Sequence, residues 1–70
     1  MSLYIVDKGA PTVMVRKKFG INIRVASFCL EHAMIFEDYE LIAADQTEYH
    51  FAARDGKEYY FNTCHVRTMK

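Results

Sequence analysis

The 70-residue chain is long enough for one domain, residues 1–70, whose small core leaves little stability margin without a metal, a disulfide or an oligomeric interface. Hydrophobic residues make up 51% of the chain, with five Tyr and five Phe, and this high apolar content favours an interface. Nine basic and nine acidic residues cancel, which excludes the broad positive field that drives non-specific nucleic-acid binding.

The charges are nevertheless segregated along the chain. Residues 1–30 carry five basic residues and one acidic residue, whereas residues 31–50 carry six acidic residues and no Lys or Arg. Residues 51–70 carry four basic and two acidic residues. A dipolar chain of this kind can steer a charged partner or pair head to tail with its own copies.

The first half of the chain has the pattern of three strands. Leu3–Val6 is a short run of β-favouring residues, ended by the turn signals of residues 7–11. Residues 12–16 predict a second strand, and residues 17–20 a connection. In residues 19–25 every odd position is apolar and every even position is Gly, Asn or Arg, a strict period of two that predicts a third strand.

Residues 26–44 fit two secondary structures. Their apolar positions can share one face of a strand or form a helical stripe, and residues 39–44 fit either a strand or a single helical turn. We favour strand or mixed structure, and an α+β fold with a short helix within 26–44 is the alternative.

The clearest local signal is an aromatic hairpin around Asp55-Gly56, spanning residues 48–62. A two-residue loop at this dipeptide sets Ala52 against Tyr59, Phe51 against Tyr60, and His50 against Phe61. One face then holds Tyr49, Phe51 and Tyr60, and the other holds His50, Tyr59 and Phe61. The second aromatic face must be covered by the rest of the chain, by a copy or by a partner.

The end of the chain carries a resemblance. The run Tyr59-Tyr-Phe-Asn-Thr-Cys-His-Val-Arg67 resembles the end of SH3-like small barrels, where a strand enters a one-turn break and a final short strand follows. The segment Val66–Met69 would be that last strand, pairing at an edge. The fold expected is mainly β, either a small SH3-like barrel or a strongly curved antiparallel sheet of five to six short strands. Proline-rich peptide recognition is not implied, because the acidic-aromatic loop and paired Trp of peptide-binding SH3 domains are absent.

Only one set of residues has the chemistry of metal ligands, namely Cys29, His32, Cys64 and His65. Cys64 and His65 are neighbours and would point to opposite faces of an extended strand, which argues against a shared metal. We therefore predict no metal and no cofactor, and two free, buried thiols.

No pattern of residues indicates catalysis. The two serines and Cys29 lack a nucleophile motif, and the acidic cluster Glu37, Asp38 and Glu40 is typical of a solvated face. The chain is predicted not to be an enzyme.

Binding is therefore the predicted function. The first hypothesis is a cytoplasmic protein-binding module, an adaptor or inhibitor of a larger protein, of the kind viruses and mobile elements use against a host enzyme. Neither a signal peptide nor an apolar run of membrane-spanning length is seen, so no membrane partner is expected. The partner, another protein or a copy of the chain, would contact His50, Arg54, Lys57, Tyr59 and Phe61.

Two alternatives remain. A basic patch beside aromatic rings could bind single-stranded nucleic acid through Arg16, Lys17, Lys18 and Arg24. A homo-oligomer could instead sequester a small ligand between its subunits.

Overall fold

The computed structural model describes residues 2–69, which form eight strands and two single-turn 3-10 helices. The strands are β1 (Leu3–Val6), β2 (Pro11–Lys18), β3 (Ile21–Cys29), β4 (Met34–Glu37), β5 (Leu41–Ala44), β6 (Glu48–Ala52), β7 (Lys57–Asn62) and β8 (Val66–Met69). The 3-10 turns are Asp38–Glu40, between β4 and β5, and Thr63–His65, between β7 and β8.

The strands form two antiparallel sheets. The larger has the order β3-β2-β7-β6-β5 and the smaller the order β4-β1-β8. The predicted mainly β fold is thereby confirmed, although with eight strands rather than five or six. The higher number of strands arises in residues 26–44, where β4, a 3-10 turn and β5 follow the end of β3. The short helix considered as an alternative for this segment is not formed.

The small sheet covers one face of the large one, and aromatic rings fill the space between them. Phe36 of β4 stacks on Phe51 of β6 with ring centroids 4.3 Å apart, and Tyr4 of β1 lies 5.4 Å from the same ring. Phe51, Phe61 and Val6 are the largest fully buried side chains. We call this covered side of the large sheet its inner face.

The predicted register of the aromatic hairpin is wrong by one residue. Phe51 pairs with Tyr59 and His50 with Tyr60, because the loop is longer than Asp55-Gly56 alone. Gly56 N–H donates to the Ala53 carbonyl at 3.2 Å, and Gly56 then takes a left-handed φ of 84° before β7 begins. A slip of one residue exchanges the two faces of a strand. Here it brings four large rings to the inner face, from Tyr49, Phe51, Tyr59 and Phe61.

The connections around the small sheet follow the sequence closely. Asn62 Oδ1 accepts a hydrogen bond from Cys64 N–H at 3.2 Å, which starts the second 3-10 turn, and β8 then pairs with β1 at the edge of the small sheet. The strand, one-turn break and final strand expected from residues 59–67 are therefore present. In the first 3-10 turn, Glu40 Oε1 accepts from Glu37 N–H at 2.9 Å, half of a capping box. Within residues 2–69, no helix has both the length and the apolar character needed to cross a membrane.

Candidate binding surface

The hairpin of β2 and β3 extends beyond the rest of the large sheet. Pairing of β2 with β7 ends at Arg16–Lys57, whereas pairing of β2 with β3 continues to Lys18–Ile21. All ten residues from 16 to 25 are exposed. We call residues 16–25 the hairpin arm.

The tip of the hairpin arm is a two-residue turn with an unusual occupant. Phe19 and Gly20 both have positive φ, 53° and 75°, so the third strand begins at Ile21 rather than at residue 19 as predicted. Asn, Asp or Gly normally fills the first of these positions, because a bulky side chain in the left-handed region is strained. Phe19 is nevertheless there, 91% exposed, with the Lys18 ammonium 5.7 Å from its ring centroid.

An uncovered apolar stripe runs from this tip along β3. Ile21 pairs with Lys18 and Ile23 with Arg16, so both isoleucines lie on the inner face of the large sheet. The small sheet does not cover them, and they are 64% and 44% exposed. Val25, the extra residue at a β-bulge opposite β2, is 48% exposed. Beyond its buried part, the inner face therefore carries exposed isoleucines beside the cations Arg16 and Lys18.

The hairpin arm is also strongly basic. Its four cations are Arg16, Lys17, Lys18 and Arg24, and the sequence has no acidic residue between Asp7 and Glu31. Only Lys17 has a described carboxylate partner, with its Nζ 3.8 Å from Glu58 Oε2. The structure thus places all four residues of the predicted nucleic-acid site on one hairpin.

The residues of the predicted partner site are instead divided between different surroundings. Phe61 is 1% exposed and lies in the core. Tyr59 is half-buried on the inner face, 6.3 Å from the Phe36 ring, and its pKa is raised by burial and then by the neighbouring Asp55. Phe61 is therefore buried, and Tyr59 lies on the face opposite to His50, so the two rings do not form the predicted surface with His50.

His50 remains on the opposite, outer face of the large sheet. Its ring stacks on Tyr60 with centroids 3.7 Å apart, and its Nε2 lies 3.3 Å from Glu48 Oε1. The Tyr60 hydroxyl donates to Glu58 Oε1 at 3.1 Å, and burial followed by this bond raises the pKa of Tyr60. These polar contacts are made within the outer face of the large sheet.

The opposite edge of the large sheet carries acidic charge. The 3-10 turn before β5 contains Asp38 and Glu40, and Asp45 follows the strand directly. Two apolar side chains are exposed here, Tyr39 at 66% and Ile42 at 48%. We call residues 38–45 the acidic edge.

The remaining predicted partner residues, Arg54 and Lys57, lie in or beside the loop of the aromatic hairpin. Arg54 is in the loop, and its pKa is raised by the neighbouring Tyr39 and then by the charges of nearby carboxylates, Glu40 and Glu37. Lys57 starts β7, where its N–H donates to Asp55 Oδ1 at 2.9 Å. The structure therefore does not bring the five predicted residues together.

The two cysteines are free and exposed, so the prediction of buried thiols is wrong. Cys29 ends β3, and Cys64 lies in the second 3-10 turn, where neither side chain enters the core. Across residues 2–69, no three His, Cys, Asp or Glu side chains are grouped closely enough to bind a metal ion.

Sequence reasoning missed Phe19, Ile21, Ile23 and Val25 as surface residues. The signal was present in the alternation of residues 19–25, but alternation indicates an apolar face without saying whether anything covers it. Comparison of the chain with protein-family models, with curated proteins and with solved structures finds no match in any of the three.

Proposed function

We propose that the chain is a small, non-enzymatic protein-binding module whose binding surface is the hairpin arm. The observation that carries this proposal is Phe19, a large ring exposed at 91% in a backbone conformation that disfavours it. Strain of this kind persists where the residue has a use, and aromatic side chains dominate binding energy at protein interfaces.

The surroundings of Phe19 support the same surface. Ile21 and Ile23 extend the apolar area along β3, and a rim of cations flanks them. An apolar centre with a charged rim is the usual composition of an interface. β3 is also an edge strand of nine residues, so its unpaired backbone groups can extend a partner's sheet. We infer a partner that is apolar at its centre and acidic at its rim.

This surface suits an adaptor or an inhibitor of a larger protein in the cytoplasm. Blocking a larger protein requires a binding surface but no chemistry of the chain's own. A viral or mobile-element origin stays a prediction.

A matched pair of isoleucines tests the proposal. Ile21 in the hairpin arm and Ile35 in β4 are each 64% exposed on an edge strand, so their replacement by Ser should affect folding alike. Immobilised wild-type chain and Ile35→Ser should retain the same proteins from a lysate. Ile21→Ser should retain them about tenfold less well, as expected when an interface loses an anchoring side chain. Equal retention by Ile21→Ser, or selective loss with Ile35→Ser, would contradict the proposal.

Nucleic-acid binding by the hairpin arm is the second candidate. The observation favouring it is the grouping of Arg16, Lys17, Lys18 and Arg24 beside the exposed Phe19 ring, because cations neutralise phosphates and rings stack on bases. Anisotropy of a labelled single-stranded oligonucleotide should then show affinity that falls steeply with salt. Undetectable or salt-independent binding would reject this candidate.

The hypothesis of a ligand held between subunits depends on a groove beside the hairpin. An open groove of about 450 Å³ lies along β2, β3 and β7, and its lining includes Val13, Phe28 and Tyr60. A second subunit would be needed to enclose a ligand there.

A further inference from the structure

The two edges of the large sheet differ in charge but share an apolar character. β3 is one edge, and the hairpin arm that contains most of it carries four cations. β5 is the other edge, with Asp38 and Glu40 before it and Asp45 after it. The sequence has no Lys or Arg between Arg24 and Arg54, so the acidic edge has no cation of its own.

The carboxylates of the acidic edge are held in fixed positions. Asp45 Oδ1 accepts hydrogen bonds from the N–H groups of Thr47 at 2.7 Å and Glu48 at 2.8 Å. Asp38 Oδ1 accepts from the Tyr4 hydroxyl at 3.2 Å. Arg54, beside Tyr39 and Glu40, offsets part of this charge from the neighbouring loop.

We propose that the partner of the hairpin arm is a second copy of the chain, bound through its acidic edge. This inference rests on the hairpin arm as the binding surface of the proposed function, and it names a copy of the chain, rather than a larger protein, as the partner. Ile21, Ile23 and Val25 of one copy would pack beside Tyr39 and Ile42 of the next. The cations of the first copy would face the carboxylates of the second, and β3 would extend the sheet at β5.

The contact is heterologous, because each copy uses one edge and offers the other. Repetition of such a contact produces a closed ring or an open filament rather than an isolated dimer. Pairing of two β3 strands is the competing arrangement. It would bring two basic hairpin arms together and leave both acidic edges unused, so charge complementarity favours the head-to-tail contact.

Two variants, each blocking one edge, test the arrangement by light scattering. Ile23→Glu places an anion within the basic edge, and Ile42→Lys places a cation within the acidic edge. Both side chains are exposed, so both variants should fold, which thermal unfolding followed by circular dichroism checks. Should either variant fail to fold, Arg24→Glu and Ala43→Lys block the same edges at other exposed positions.

The wild-type chain should exceed its monomer mass of 8.2 kDa as concentration rises, and should dissociate as salt is added. Each blocked variant alone should remain a monomer. An equimolar mixture of the two should form a dimer of twice the monomer mass, because each variant retains the edge that the other has lost.

Three results would overturn the inference. The first is a wild-type chain that is monomeric at every concentration. The second is self-association of Ile42→Lys alone, which indicates β3–β3 pairing. The third is a mixture of the two variants that forms no dimer. The proposed function is tested separately by the Ser variants. A monomeric wild type that still captures proteins in an Ile21-dependent manner would reject the second copy as partner and retain the hairpin arm as binding surface.

Discussion

At the scale of single residues, Phe19 adds exposed apolar surface at a position where its backbone conformation is unfavourable. The turn it occupies favours Asn followed by Gly, and Gly20 already fills the second position. A left-handed conformation costs a non-glycine residue about 1–2 kcal/mol, which no burial of Phe19 offsets in the isolated chain. The Lys18 ammonium over the ring offsets part of this cost, and a contact with another molecule can offset the rest.

Replacing Phe19 by Asn should therefore have opposite effects on stability and binding. We expect Phe19→Asn to raise the free energy of unfolding by about 1 kcal/mol, because Asn tolerates the left-handed region. Retention of partners should fall with the loss of the ring. Chemical denaturation measures the first effect and the immobilised chain the second. Gly20→Ala is the control, and should destabilise the same turn by about 1 kcal/mol because its φ is also positive. Destabilisation by Phe19→Asn would contradict the assignment of strain.

Asp45 should make stability depend on pH. Hydrogen bonds from the Thr47 and Glu48 N–H groups hold its pKa below the ordinary 3.8, because they favour the charged carboxylate. A lowered pKa means that its contribution is fully present above pH 3.8 and is lost as pH falls through the folded value. Thermal unfolding should show wild type more stable than Asp45→Asn at neutral pH, with the difference shrinking in acid. A difference that does not change with pH would assign the effect to another group.

At the scale of elements, the aromatic hairpin shows what sequence patterns can and cannot predict. Asp55-Gly56 located the turn, and the alternation of residues 19–25 located most of β3. Neither pattern determines how many residues the hairpin loop has, since Gly56 can take a positive φ in a loop of two residues or of three. That difference moved Tyr59 and Phe61 from a predicted surface into the core and its margin, and the candidate site lost two of its five residues.

The corrected register predicts which ring the fold requires. Phe61→Ser should unfold the chain, because truncating a buried Phe costs about 3–5 kcal/mol and a small domain has little more than that. His50→Ser, on the outer face of the paired strand, should leave a cooperative unfolding transition. Circular dichroism of the two variants measures the contrast. A folded Phe61→Ser chain would mean that the register is that of the two-residue loop.

At the scale of the whole molecule, the segregation of charge along the sequence becomes a separation in space. The folded chain keeps the four cations of the hairpin arm at one edge of the large sheet and Asp38, Glu40 and Asp45 at the other, although Arg54 lies beside the acidic edge. Sequence counts could show that the segments differ in sign but not that the topology β3-β2-β7-β6-β5 puts them at opposite edges. One chain therefore offers both halves of a complementary contact.

Hydrogen exchange of the backbone amides tests most directly whether β3 of one copy is covered by β5 of another. Alternate amides of β3 point away from β2 and should exchange rapidly in dilute solution, because the edge strand leaves them unpaired. As concentration rises, these amides and those of β5 should become protected together. Exchange that is independent of concentration at both edges would contradict the account, and protection of β3 without β5 would reject the head-to-tail contact.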